Sequence, residues 1–209
     1  MLGRGGADIF EVTSGDDTIK DLTTGDSFIV HVDSSLSAVQ IASFIATSDT
    51  SNAGIAQLTA VDNGSTIDMT ASVSGGYEIT GGKGIDYLIG GPDSDKLIGG
   101  LGEDIFVIKS GTDIIFDLTT GDTFDVFSGA TLEATNVENF VATTSVSNSG
   151  TVQIFSHQDG SVIDMSLSER GIYTISGQQI GNQRNANNIC CSRCGKSTRF
   201  PTGKSRRSV

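Results

Sequence analysis

Short runs of alternating apolar and polar residues fill this chain, and no stretch sustains a 3.6-residue apolar period. Thr, Ser, Val and Ile dominate these runs, which favours strands over helices. Examples are Phe44-Ile-Ala-Thr, Ile55-Ala-Gln-Leu-Thr-Ala-Val, Phe140-Val-Ala-Thr and Val152-Gln-Ile-Phe. Turn signals such as Asp62-Asn-Gly and Gln158-Asp-Gly separate them. The pattern predicts an all-β protein of many short strands.

The strands belong to a repeat. Gly15-Asp-Asp-Thr-Ile-Lys-Asp-Leu-Thr-Thr-Gly-Asp-Ser-Phe28 returns as Gly111-Thr-Asp-Ile-Ile-Phe-Asp-Leu-Thr-Thr-Gly-Asp-Thr-Phe124. Gly64-Ser-Thr-Ile-Asp-Met69 returns as Gly160-Ser-Val-Ile-Asp-Met165. The offset is 96 throughout, without a gap, and 36 of 79 positions are identical between 3–81 and 99–177. Ordinary loops tolerate insertions, whereas a stacked solenoid does not, because each strand must land on the one below. The similarity stops at Gly81 and Gly177, which suggests a piece of a longer repeat protein.

Residues 81–107 divide into three nines: Gly-Gly-Lys-Gly-Ile-Asp-Tyr-Leu-Ile, Gly-Gly-Pro-Asp-Ser-Asp-Lys-Leu-Ile and Gly-Gly-Leu-Gly-Glu-Asp-Ile-Phe-Val. Asp93 stands where the others have a third glycine. Aspartate recurs every nine residues at Asp86, Asp95, Asp104, Asp113 and Asp122, and in the first copy at Asp8, Asp17 and Asp26. Two residues after each comes an apolar side chain: Leu88, Leu97, Phe106, Ile115 and Phe124, and Phe10, Ile19 and Phe28. The block resembles the RTX (hemolysin-type) calcium-binding nonapeptide repeat, G-G-x-G-x-D-x-U-x with U apolar.

That resemblance implies a parallel β-roll with two nonapeptides per turn. Aspartates 18 apart would then stack, Asp86 over Asp104 over Asp122 and Asp95 over Asp113, and would repel one another unless a cation lay between them. Calcium suits such a site, because it accepts six or more oxygens in flexible geometry where magnesium demands an octahedron. The expected ligand set is Gly82, Gly84, Asp86, Gly91, Asp93, Asp95, Gly100, Gly102 and Asp104, extended to Asp8 and to Asp113, Asp122, Asp17 and Asp26, the last four in turns that lack the double glycine. Asp68 and Asp164 are expected to be outward-facing strand residues.

Charge agrees with a cation partner. The net charge is -12. All 25 acidic residues and 6 of the 13 Lys and Arg precede Gln178, so the body carries -19 and the remainder +7. An acidic body disfavours nucleic acid, whose phosphates need a basic surface. The chain has no apolar run long enough for a transmembrane helix and no apolar leader. Only two histidines occur, outside any H-E-x-x-H motif, and there is no G-x-S-x-G, so no enzyme is expected. The three cysteines, Cys190, Cys191 and Cys194, all lie in the basic tail.

The organisation expected is a first copy over 1–80, a calcium block over 81–128, calcium-free strands over 129–177 and a disordered basic tail over 178–209. The fold class is an all-β parallel β-roll or β-solenoid built from two 96-residue repeats. The function expected is a calcium-binding structural segment of a secreted or cell-surface bacterial protein that folds on calcium binding, with possible surface or matrix contact. The alternatives are an accessory region of a secreted lipase or protease, and a β-solenoid that needs no metal.

Overall fold

The computed structural model describes residues 1–157, 161–169, 171–176, 182–184 and 189–191. Among these every regular element is a strand, and every strand pairing is parallel. The chain winds as a β-solenoid. One wall is a ten-stranded sheet running from Gly15–Ile19 through Lys96–Ile98 to Ile189–Cys191. The opposite wall is a six-stranded sheet, Ser43–Ile45 to Ser147–Asn148, flanked by two three-stranded sheets.

Register explains the ungapped repeat. Asp17 pairs with Leu36, Leu36 with Ala56, Leu58 with Ile79, Ile79 with Leu97 and Leu97 with Ile115. Successive turns therefore take 19, 20, 21, 18 and 18 residues, and these five fill one 96-residue repeat. The second copy follows the same course, Asp113 beside Leu132, Leu132 beside Val152 and Ile154 beside Ile175. An insertion within a strand would turn the side chains that follow it to the opposite face.

Alternation places the apolar residue of each nonapeptide inside, and Phe10, Ile19, Phe28, Leu88, Leu97, Phe106, Ile115 and Phe124 are all buried. The longer turns enclose more. Phe44 stacks on Phe28 at 5.8 Å with Tyr77 edge-on, and Phe140 stacks on Phe124 at 5.9 Å with Tyr173 edge-on. Asp68 and Asp164 lie on the outer side of their strands and accept the amides of Thr70 and Ser166.

Corners of the longer turns are closed by neutral side chains. Buried Asn52 donates to the Gly76 carbonyl at 2.6 Å and accepts the Gly54 amide at 3.0 Å. Asn148 repeats this on Ile172 and Gly150. Ser65 Oγ donates to the Ile41 carbonyl at 2.8 Å. Asn52→Ala should cost roughly 1–3 kcal/mol in urea unfolding, because the Gly76 carbonyl and Gly54 amide would lose their partner. An unchanged midpoint would show that the corner closes without it.

Within the tail expected to be disordered, Asn182–Arg184 and Ile189–Cys191 pair with Val162–Asp164 and Tyr173–Ser176. An open sheet edge offers unpaired amides and carbonyls to any following strand. Tyr173 meets Ile189, 16 residues on, so the turn length leaves the 18–21 series where the repeat similarity ends. The rest of the tail, with Cys194, and the turn expected at 158–160 lie outside the described residues.

Candidate metal centre

Loops joining the two walls form two edges. Loops 81–86, 99–104 and 117–122 share one, and loops 90–95 and 108–113 share the other. Because both turns of the block are 18 residues long, their aspartates fall in register. The Asp86 amide donates to Asp104 Oδ1 at 2.9 Å, and the Asp104 amide to Asp122 Oδ1 at 2.9 Å. On the second edge the Asp95 amide donates to Asp113 Oδ1 at 3.0 Å. All five aspartates are buried, at 3 % exposure or less.

Asp95, Asp104, Asp113 and Asp122 thus each spend one oxygen on the neighbouring turn, Asp95 on the Tyr77 amide at 2.8 Å, whereas Asp86 spends none there, and the remaining oxygens separate the sites. Asp86 Oδ2 accepts the Gly82 amide at 2.7 Å, and Asp95 Oδ2 accepts the Gly91 amide at 2.6 Å. Among the described residues, four buried side-chain oxygens lack any hydrogen-bond partner, and three are nonapeptide carboxylates: Asp8 Oδ2, Asp86 Oδ1 and Asp113 Oδ2. A buried carboxylate oxygen without a partner is costly unless a cation faces it. No lysine, arginine or histidine pairs with these three or with Asp95, Asp104 and Asp122 among the described residues.

Electrostatics point the same way. Burial pushes Asp95 and Asp104 up to about 6. Burial, with the Asp95 charge next, pushes Asp113 up to about 8. Asp95 Oδ2 and Asp113 Oδ2 lie 2.6 and 2.7 Å from the point where a Cβ on Gly90 would stand. They are therefore at most about 5 Å apart, within the reach of two ligands on one calcium ion at roughly 2.3–2.6 Å each.

Glycines permit the turns to come this close. A Cβ on Gly100 (φ 91°) would strike the Gly82 carbonyl oxygen, and one on Gly102 (φ 150°) the Gly84 carbonyl oxygen. No three carboxylate, histidine or cysteine side chains converge on one point among the described residues. An ion here would draw its remaining oxygens from such backbone carbonyls, which fits calcium's preference for mixed oxygen ligands.

Other expected ligands are placed differently. Asp122 Oδ2 accepts both the amide and the hydroxyl of Thr119, at 2.7 and 3.1 Å, and Asp26 Oδ2 does the same with Thr23 at 2.8 and 3.1 Å. Both carboxylates are fully committed, since Asp26 Oδ1 also accepts the Asp8 amide. Asp93 is exposed and accepts the Gly75 amide at 2.7 Å. Asp17 is half-buried beside Leu36, with no carboxylate stacked on it in the next turn.

Two participants were missed. Asp117 accepts the amides of Gly99 and Gly100 at 2.9 and 2.8 Å, and Asp21 accepts those of Gly3 and Arg4 at 3.1 and 3.0 Å. The Arg4 amide, helped by that of Gly3, holds the Asp21 carboxyl below its usual range. The signal was the identical Asp-Leu-Thr-Thr-Gly-Asp in both copies, but it lies off the nine-residue aspartate register.

Comparison with known families matches residues 2–20 and 80–115 to the RTX calcium-binding nonapeptide repeat, in four copies. Comparisons with curated proteins and with solved structures each give no match. The matched stretches cover the stacked aspartates from Asp86 to Asp113, and Asp8 and Asp17 in the first copy.

Proposed function

Residues 2–20 and 80–115 are RTX calcium-binding nonapeptide repeats on a structural β-roll, and from that premise we propose that calcium ions lie between the turns of 81–113 and complete the fold there. The observation that carries this is the set of buried, unpartnered carboxylate oxygens at Asp86 and Asp113. Asp86, Asp95, Asp104 and Asp113 supply the charge, and carbonyls of the glycine turns around Gly82, Gly84, Gly91, Gly100 and Gly102 supply further oxygens. Asp8 repeats the arrangement in the first copy.

The segment is a structural module of a secreted or surface-exposed protein, disordered where calcium is scarce and ordered outside the cell. Extracellular calcium modules bind at roughly 10⁻⁴–10⁻³ M, and metal affinity here is also folding free energy. Calorimetric titration of calcium into the chelator-treated full chain tests this. Saturable binding in that range is expected, weakened much more by Asp104→Ala than by Asp122→Ala, whose carboxylate already has Thr119. Absence of binding would overturn the proposal, and equal effects of the two substitutions would overturn the ranking.

A further inference from the structure

We infer that Asp117 is a positioning residue for the calcium loop 99–104: its carboxylate holds the double-glycine amides of that loop from the next turn, without itself touching the ion. This rests on the calcium reading above and adds a residue to it. Its basis is the pair of hydrogen bonds from the Gly99 and Gly100 amides to the two oxygens of Asp117.

Asp117 does not act alone. Asp122 Oδ1 takes the Asp104 amide, so the Asp-Leu-Thr-Thr-Gly-Asp turn grips loop 99–104 at both ends, at Gly99–Gly100 and at Asp104. That turn is itself closed without metal, by the Thr119 amide and hydroxyl on Asp122 Oδ2. Buried Leu118 anchors it between the two aspartates. Its geometry is therefore set before any ion arrives.

The consequence is orientation. A peptide whose amide points one way presents its neighbouring carbonyls the other way. Fixing the amides of Gly99 and Gly100 restricts two peptide planes in the most conformationally free part of the loop. A loop ordered in advance loses less entropy on binding, so its ion is held more tightly. Both bonds are charge-assisted, the stronger class.

The first copy contains the same device, built independently of the double glycine. Asp21 accepts the amides of Gly3 and Arg4, and Thr23 closes Asp26. Arg4 replaces the second glycine, and the clamp persists because it reads backbone amides and not side chains. On the second edge, Asp93 takes one amide, that of Gly75, and Asp95 takes two that are far apart in the chain, Tyr77 and Gly91, so among the described residues the clamp on two consecutive amides is seen in the Asp-Leu-Thr-Thr-Gly-Asp turns.

The test is a calcium titration of the full chain followed by amide resonances, with calorimetric stoichiometry alongside. Asp117→Asn keeps the shape and removes the charge. The midpoint read at Leu101 and Asp104 should rise roughly tenfold or more, the midpoint at Ser94 and Asp95 should move far less, and the number of ions bound should not change. Asp21→Asn should leave both midpoints alone. If Asp117→Asn misfolds, Thr119→Val serves instead, loosening the turn through the Asp122 cap, with a smaller rise at the same residues. Unchanged midpoints would overturn the inference, and so would the loss of one ion per chain, since Asp117 would then be a ligand. Failure of the unsubstituted chain to bind calcium would instead sink the calcium reading.

Discussion

Chelation of calcium should strip amide protection from residues 81–107 while most of 34–80 keeps it. Residues 81–98 contribute two side chains to the core, Leu88 and Leu97, whereas 34–54 contribute five and 55–80 seven. Ordering a residue costs roughly 1–2 kcal/mol of backbone entropy, and burying a leucine offsets only about 2 kcal/mol. Corners of the longer turns are closed by Asn52 and Ser65, neutral groups with partners. The corners of the block hold stacked carboxylates with unpartnered oxygens. Hydrogen exchange with excess calcium and with excess chelator measures the difference. Exchange at Leu88, Leu97 and Phe106 should accelerate by orders of magnitude on chelation. Equal protection in both conditions would mean that the block folds without the ion.

Without calcium, acid should stabilise the protein. The folded carboxyls of Asp95 and Asp104 are raised to about 6 and that of Asp113 to about 8, against roughly 3.9 for a free aspartate. A raised folded value means that the native state holds its proton more tightly than the unfolded chain. That contribution is fully present below about pH 4 and is lost as pH climbs through 6 and then 8. Each unit of difference is worth about 1.4 kcal/mol. The chelated protein should therefore lose several kcal/mol between pH 5 and pH 8, a fall in Tm on the order of 10 °C. Calcium reverses the sign, because the ion favours the charged carboxylates and must displace their protons. Its affinity should rise over the same interval. Melting curves at pH 5, 6.5 and 8, with and without calcium, check both halves. A chelated protein whose Tm rises toward pH 8 would show that the carboxylates are already stabilised by something other than protons.

The sequence by itself determined the class of fold, the ungapped 96-residue repeat and the inward and outward sides of each nonapeptide strand. Those properties depend on period two within a strand and period nine between aspartates, both local enough to read directly. It also indicated that Asp86 would lie over Asp104 and Asp122, once the resemblance supplied two nonapeptides per turn. The turn lengths of the calcium-free segments were not legible. Turns of 19, 20 and 21 residues carry no marker at a fixed interval, and their strands find register by packing Phe44, Phe140, Tyr77 and Tyr173 into one core.

Tertiary structure alone decided which aspartates have oxygens to spare. Asp122 and Asp113 look equivalent in the nine-residue register, yet Thr119 occupies the second oxygen of Asp122 while that of Asp113 has no partner. Asp117 and Asp21 became visible only when the turns were stacked, since the amides they hold lie 17 and 18 residues away. A carboxylate's place in the repeat fixes where it stands. What it binds depends on the backbone groups that the adjoining turn brings to it, and those are set by how consecutive turns of the solenoid lie on one another.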